Sequence, residues 1–319
     1  MKLSVVTSIY NSSSTIMELN ERLIKAAKEI VNDSFEIIYV NDGSTDESYH
    51  TLKKIILDTN ENYDIQLVDL SRNFGQHKAL MTGLKFARGN HIFMLDSDLE
   101  ENPNWLIEMY NQIHKTGSDM VFGYQENRRG NFFDKISGYI FYKLFNLISN
   151  VKIERNLVTA RVMSSRYVKN LLKHKESEIY LPGIFKIIGF KQVKIPVKKD
   201  YLNNTTYSFR MKISMMINSI TSFSSTPLKM SFYVGISLII ISFIFIVKIL
   251  YDKIFFDAVL TGWSSLIISI WFIGGMNIFF IGLVGIYISK MYVEVKQRPT
   301  SIIKEIYHSN ENISNDKSY

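Results

Sequence analysis

His91-Ile92-Phe93-Met94-Leu95-Asp96 is a mostly apolar run that ends in two closely spaced carboxylates, Asp96 and Asp98. The length of the run and its apolar residues predict a buried strand over His91–Asp96. In a parallel α/β sheet, ligands bind in the crevice outside the carboxyl ends of the strands. The stretch therefore predicts an α/β fold with an acidic ligand site.

The preceding and following sequence repeats this arrangement of a short apolar run followed by a helical-length stretch. Four more strands are predicted, at Leu3–Ser8, Phe35–Asn41, Ile65–Leu70 and Met120–Gly123. Helices are predicted over Ser13–Val31, over Gln76–Ala87 and from Pro103 to Thr116, and Ser44-x-x-Glu47 resembles a capping box that opens another. Alternation of strands and helices predicts a mainly parallel sheet. Asp42, directly after the second strand, is expected to face the same crevice as Asp96.

The sequence beyond Lys229 is much more apolar. Ser231–Leu250 and Trp263–Ser289 are nearly free of charge, and about 20 such residues in a helix match a hydrocarbon core of about 30 Å. We predict a two-helix transmembrane hairpin over 229–290, after a domain at 1–228. Two buried helices of a soluble core are the alternative, although uncharged runs of this length exceed what such a core needs.

Charge outside the hairpin gives its expected orientation. By the positive-inside rule, basic residues flanking the spans place both termini in the cytoplasm. These residues are Arg210, Lys212, Lys229, Lys290, Lys296, Arg298 and Lys304. The formal net charge of +7 favours anionic partners such as phosphates or lipid headgroups, and the absence of cysteine excludes disulfides and thiolate metal sites. No basic run with interleaved aromatic residues indicates nucleic acid binding.

Three segments have a less defined role. Residues 134–150 and 210–226 carry apolar and basic residues in patterns typical of interfacial helices. Packing of these helices on the domain is an equal alternative. Residues 291–319 are predicted to be a cytoplasmic tail, partly disordered from about Ser309.

The acidic residues have two possible roles. Asp96 and Asp98 can bind a divalent cation, because Mg²⁺ and Mn²⁺ prefer oxygen ligands. An Asp-x-Asp pair also occurs by chance in solvated turns. In Asn41-Asp42-Gly43-Ser44, the aspartate either shapes a turn or accepts hydrogen bonds from a base or ribose.

The order of these short motifs resembles family 2 glycosyltransferases with the GT-A fold, a Rossmann-like domain that binds nucleotide-sugars. The second half resembles bacterial polyprenyl-phosphate (bactoprenol) glycosyltransferases and, more distantly, dolichyl-phosphate mannose synthases. The matching segments are Ser4-Val5-Val6, Tyr10-Asn11, Val40–Asp46, Ser71–Gly75, Asp96–Asp98, Ile220–Ser224, Pro227-Leu228, Gly262–Leu266, Gly282-x-x-Gly285-x-Tyr287 and Glu294–Pro299.

The resemblance implies roles for particular residues. The nucleotide-sugar set is Ser8, Tyr10, Asn11, Asp42, Asn73, Gly75 and Asp96. The Mg²⁺ or Mn²⁺ ligands are Asp96, Asp98 and Glu100, and the catalytic set is Asp96, Asp98 and Arg161. Arg128, Arg129 and Arg161 are expected near the acceptor phosphate. Ser8 and Ser12 replace the family's Pro and Glu, and 201–208 lacks the usual Gly-Ser-Lys run.

The implied reaction is inverting, metal-dependent transfer of a hexose from a nucleotide-sugar, UDP-glucose by default, to polyprenyl (undecaprenyl) phosphate. The enzyme would work at the bacterial cytoplasmic membrane in contact with membrane lipids, and would supply cell-envelope glycans. The small residues of Gly285-x-x-x-Ser289 could pack the two helices of the hairpin together or join two copies of the protein, so a homo-oligomer is an open alternative. The alternatives are a processive synthase, a transferase with another donor or acceptor, and a non-catalytic membrane scaffold. A processive synthase would need more membrane spans than the two predicted here.

Overall fold

A computed structural model describes residues 1–32, 34–59, 62–126, 143, 156–200, 221, 224–256 and 262–309. The chain forms two units. The first comprises Met1–Tyr142, Ile153–Tyr207 and Arg298–Tyr319, and the second comprises Lys143–Lys152 and Ser208–Gln297.

The first unit is an α/β sheet with helices. Its strands are β1 (Leu3–Ile9), β2 (Phe35–Asn41), β3 (Asp64–Leu70), β4 (His91–Asp96), β5 (Met120–Tyr124), β6 (Leu157–Ser164), β7 (Gln192–Pro196) and β8 (Ile303–His308). Its helices are α1 (Ile16–Val31), α2 (Ser48–Asp58), α3 (Gln76–Phe86), α4 (Trp105–Thr116), α5 (Ser165–Leu171) and α6 (Leu181–Ile187). The five strands and three helices predicted from sequence patterns are present within a few residues of their expected bounds.

Among the described residues, eight strands form one sheet in the order β7-β5-β6-β4-β1-β2-β3-β8. Strands β4, β1, β2 and β3 are mutually parallel, whereas β6 runs antiparallel to β4 and β8 antiparallel to β3. The sheet is mainly parallel in its centre, as predicted, with antiparallel strands in its flanks. The carboxyl ends of β1, β2 and β4 lie side by side.

Two apolar cores cover the faces of the sheet because side chains alternate along each strand. Val5 packs with the α1, α2 and α4 side, whereas Val6 packs with the α3, α5 and α6 side. Helix α3 approaches the sheet closely at Gly83, where a Cβ atom would lie 2.6 Å from Val6 Cγ1 and 2.7 Å from Val40 Cγ2. The sheet and its helices therefore hold the strand ends in fixed positions.

The predicted capping box was wrong. Helix α2 begins at Ser48, its N-cap residue is Glu47, and no side chain caps it from that position. The Ser44 hydroxyl instead accepts a hydrogen bond from the Asn11 backbone N–H at 3.1 Å. Ser44 thus belongs to the loop that joins the first two strand ends.

The strand β8 was not identified from the sequence, which assigned this segment to a tail. Ile303–His308 pairs antiparallel with β3 at the edge of the sheet. Its residues are half-buried or exposed, so its sequence has a weak apolar pattern. The predicted disorder beyond it falls on 310–319, outside the described residues.

The second unit contains two long apolar helices, α7 (Thr226–Phe256) and α8 (Trp263–Val295). Their segments Thr226–Phe245 and Ser269–Val295 have mean hydropathies of 2.0 and 1.9, and neither is buried inside the protein. By length and composition, both can cross a membrane. The predicted interfacial segments 134–150 and 210–226 lie almost entirely outside the described residues.

Candidate active site

The candidate site lies at the carboxyl ends of β1, β2 and β4. Ser8 pairs with Asp96 across β1 and β4, and Ile9 pairs with Asn41 across β1 and β2. Strand order reverses here, since β1 has β2 on one side and β4 on the other. Such a switch point is where open α/β sheets bind ligands.

Asp42 joins two loops of the site. Its carboxylate accepts hydrogen bonds from the backbone N–H of Phe74 at 2.7 Å and of Gly75 at 2.9 Å. Burial raises the pKa of Asp42, while these two donors and Arg72 oppose the rise. Gly43 has φ +66°, and a Cβ there would lie 2.4 Å from the Arg72 carbonyl carbon. The two loops therefore pack backbone against backbone.

The β1 end completes this side of the site. Asn11 has φ 50°, and its Oδ1 accepts a hydrogen bond from the Thr45 N–H at 2.9 Å. Ser8 is buried, whereas Tyr10, Asn11 and Asn73 are exposed. The structure thus brings the predicted nucleotide-sugar residues to one edge of the sheet, and leaves several of their side chains accessible.

The acidic loop follows β4. Asp96 accepts hydrogen bonds from Gln76 Nε2 and from Thr159 Oγ1, the latter at 2.9 Å. Burial, with the neighbouring Glu101 charge, raises the pKa of Asp96 well above its usual range. Asp98 is exposed, and its Oδ1 accepts the Glu100 N–H at 3.0 Å.

Sequence reasoning missed Glu101 and Lys199. Glu101 is fully buried, and its oxygens accept the backbone N–H of Thr159 at 2.7 Å and of Asp96 at 3.3 Å. Lys199 Nζ lies 3.5 Å from Glu101 Oε1 and 3.7 Å from Glu100 Oε2. Burial opposes the charge of Lys199, but the surrounding carboxylates outweigh it and raise its pKa. The acidic run Glu100-Glu101 was a signal for Glu101, whereas no local signal marks Lys199.

Arg161 lies on β6 and is 4% exposed. It donates hydrogen bonds to the carbonyl oxygens of Thr159 and Val158, both at 2.8 Å, and its Cζ lies 3.9 Å from the Phe185 ring centroid. Burial lowers its pKa to about 10. Arg161 therefore contacts the interior beside Thr159, and the predicted partners Arg128 and Arg129 lie outside the described residues.

No cluster of three or more His, Cys, Asp or Glu side chains within the described residues has the geometry of a metal site. Asp96, Asp98 and Glu100 are nevertheless close in sequence around one loop, with Asp98 open to solvent. The loop supplies hard oxygen donors that suit a divalent cation sharing its remaining positions with phosphate or water.

Comparison with known proteins agrees with this geometry. Residues 4–173 match the family described as glycosyl transferase family 2. The chain belongs to this family. A Mycobacterium tuberculosis protein described among putative glycosyltransferases is 42% identical over 97% of this chain and 89% of its own length.

Two further proteins are similar over large parts of the chain. The bactoprenol glucosyl transferase of Shigella phage SfII is 31% identical over 97% of this chain and 100% of its own length. A Pyrobaculum calidifontis mannosyltransferase, solved with GDP-Man and Mn²⁺, has a TM-score of 0.50 at 16% identity, over 69% of this chain and 63% of that one. The family resemblance and the GT-A fold with two C-terminal apolar helices are thereby confirmed, and the chain is a glycosyltransferase.

Proposed function

We propose that this glycosyltransferase moves a hexose from a nucleotide-sugar to polyprenyl phosphate, undecaprenyl phosphate in bacteria, with inversion at the anomeric carbon. UDP-glucose is the first donor to test. The observation that carries the proposal is the acidic loop after β4, set beside Asp42 at the switch point of a chain that also has two exposed apolar helices. The end-to-end similarity to a bactoprenol glucosyl transferase supports it. The product would be a lipid-linked sugar for cell-surface glycans.

The nucleotide-sugar would bind over the ends of β1 and β2. Because Asp42 already accepts two backbone N–H groups, its main role would be to hold the loop at Asn73 and Gly75 in a binding shape. The exposed side chains of Tyr10, Asn11 and Asn73 would then contact the donor. Asp96 would contact the ribose or diphosphate.

Asp96, Asp98 and Glu100 would hold Mg²⁺ or Mn²⁺ together with the donor diphosphate. The exposed Asp98 carboxylate fits this role best, since Asp96 already accepts two side-chain hydrogen bonds. A bound cation of this kind neutralises charge that develops on a departing nucleotide diphosphate.

The acceptor needs no strong general base. A phosphate monoester has a second pKa of about 6, so its oxygen is largely ionised near neutral pH. The chain must then place that oxygen in line with the anomeric carbon. In the described part of the chain, Arg161 hydrogen-bonds only to carbonyl oxygens, and we propose that its charge, with Arg128 and Arg129, favours the acceptor phosphate.

The two apolar helices would form a multi-pass membrane hairpin with the catalytic unit and both termini in the cytoplasm. Basic residues flank the helices at Lys229, Lys290, Lys296 and Arg298, in agreement with the positive-inside rule. A polyprenyl chain stays in the bilayer, so anchoring the enzyme there raises its effective concentration at the acceptor.

A direct test is transfer of radiolabelled sugar from UDP- and GDP-sugars to undecaprenyl phosphate by purified wild type and Asp98→Ala. Each reaction is run with Mg²⁺, with Mn²⁺ and with chelator. We expect labelled lipid from one donor, dependent on metal and on Asp98. Label on a soluble acceptor alone would overturn the polyprenyl acceptor, and metal-dependent nucleotide binding without any transfer would indicate a scaffold.

A further inference from the structure

The segment that follows the second apolar helix contacts β3 and α3, which lie on either side of the loop at Arg72–Gly75. The Ile302 carbonyl accepts the Ser71 N–H at 3.0 Å, directly before the loop at Arg72–Gly75. The Ser301 hydroxyl lies 2.6 Å from the Thr82 hydroxyl on α3. Strand β8 then pairs with β3. The segment is therefore part of the framework around the candidate donor site.

A series of polar contacts leads from β8 into the interior of the unit. Lys304 Nζ lies 3.4 Å from Asp69 Oδ2, and Asp69 Oδ1 accepts a hydrogen bond from Asn41 Nδ2 at 2.7 Å. Asn41 Oδ1 in turn accepts the Ser44 N–H at 3.3 Å, and Ser44 Oγ accepts the Asn11 N–H at 3.1 Å. This series of contacts begins at the exposed Lys304 and ends in the loop around Asp42.

The charges of Lys304 and Asp69 explain how the Asn41 side chain is oriented in this series of contacts. Asp69 is buried, with 3% of the residue exposed, and a buried polar side chain is stabilised by hydrogen bonds and a paired charge. Lys304 supplies the charge and Asn41 the hydrogen bond. With its NH₂ group donating to Asp69, the Asn41 amide presents its oxygen to Ser44. The orientation of Asn41 thus depends on Asp69 being a carboxylate acceptor.

A second set of contacts joins β8 to α2, and Lys304 Nζ also lies 5.6 Å from the Tyr49 ring centroid there. The Tyr307 hydroxyl lies 3.0 Å from the Tyr49 hydroxyl and accepts from Lys53 Nζ at 3.2 Å. Lys53 Nζ also lies 4.5 Å from the Tyr307 ring centroid. These contacts attach β8 to α2 and cover the edge of the sheet. Lys53 provides a matched control, because it attaches the same strand to α2, whereas the ion pair to Asp69 is made by Lys304.

We propose that Lys304 is a positioning residue for the donor, which acts through Asp69 and Asn41 on the loop at Asn41–Ser44. The inference rests on the proposed function in one respect, namely that this loop binds the nucleotide. A segment beyond the apolar helices would then set donor affinity, in addition to covering the edge of the sheet.

The test compares Lys304→Met, Lys304→Arg and Lys53→Met in the full-length protein. We expect Lys304→Met to raise both the Kd for UDP with Mn²⁺ and the KM for the donor about three- to tenfold, because a half-exposed ion pair is lost. The kcat should change little. Lys304→Arg should restore both values, and Lys53→Met should lower the Tm while leaving Kd and KM near wild type. Equal KM effects in Lys304→Met and Lys53→Met would overturn the proposal.

Hydrogen exchange separates failure of this proposal from failure of the proposed function. In Lys304→Met, the amides of residues 41–45 should exchange faster, whereas those of β1 should be unchanged. If the wild type bound no nucleotide and transferred no sugar, the proposed function would fail, and exchange would still decide whether Lys304 orders the loop. Unchanged exchange at 41–45 would overturn that role.

Discussion

The two sides of the candidate active site are built from different chemistry. On the β1 and β2 side, the loops are joined by backbone contacts, and Asp42 uses both carboxylate oxygens to hold Phe74 and Gly75. On the β4 side, carboxylates crowd together: burial and the Glu101 charge raise the pKa of Asp96, and burial with the Asp98 charge raises the pKa of Glu101. One lysine, Lys199, faces Asp96, Asp98, Glu100 and Glu101.

This contrast indicates which side of the site needs a bound ligand to balance its charge. The backbone-joined side satisfies its hydrogen bonds within the chain, so its shape follows from the fold. Within the part of the chain that the structure describes, four carboxylates on the acidic side interact with two cations, Lys199 and Arg161, and like charges at short range disfavour one another. We therefore expect substitutions on the acidic side to change activity first, and substitutions on the backbone-joined side to change stability first.

The largest expected effect is on the acidic side. Asp98→Asn keeps an oxygen that accepts the Glu100 N–H and removes only the charge. We expect the rate of sugar transfer at saturating Mn²⁺ to fall about 100- to 1000-fold, the range seen when a preorganised electrostatic group is lost. Thermal unfolding should change little because Asp98 is exposed.

The matched control is Asp200→Asn. Asp200 is also exposed, and its backbone N–H donates to the Glu100 carbonyl at 2.9 Å, so it lies beside the same loop. Its variant should retain nearly wild-type transfer. Equal losses in the two variants would attribute the effect to net charge near the loop and not to Asp98.

The sequence predicted the acidic side and the central sheet because both have local signals. The run His91–Asp96 marks its strand and its carboxylates together. Glu101 was overlooked although it is adjacent, because sequence does not reveal that the Asp96 and Thr159 amides converge on it. Lys199 approaches from a distant segment after β7, so its place depends on tertiary contacts alone.

Two other findings show the same limit. Strand β8 forms at a sheet edge, where half-exposed residues give a polar pattern that is hard to distinguish from a tail. The match of Arg161 to a family arginine predicted its position near the acceptor, but did not predict that its guanidinium is buried against Phe185. Burial of a charged group is decided by packing, which a motif does not contain.

The second expected effect tests the backbone-joined side. Gly43→Ala places a Cβ 2.4 Å from the Arg72 carbonyl carbon, at φ +66°. We expect a loss of about 3 kcal/mol in the free energy of unfolding, from backbone strain and displacement of the facing loop. Urea unfolding followed by Trp105 fluorescence, in a Trp263→Phe and Trp271→Phe background, measures it.

Gly117→Ala is the control for Gly43→Ala. Gly117 has a similar φ of +57°, but no atom lies within 4 Å of its Cβ position. Its substitution should cost only the conformational penalty of about 1 to 2 kcal/mol. If both variants lost the same stability, contact between the two loops would contribute nothing beyond backbone conformation.

The smallest expected effect returns to the acidic side. Thr159 Oγ1 donates to Asp96 Oδ2 at 2.9 Å, and Thr159→Val removes that donor while keeping the shape. A hydrogen bond contributes about 0.5 to 1.5 kcal/mol, so we expect transfer to be about two- to tenfold slower. Thr159→Ser keeps the hydroxyl and should remain near wild type. Because the Thr159 backbone N–H bonds to Glu101 in every variant, equal rates for Val and Ser would show that Asp96 is positioned by Gln76 and the strand alone.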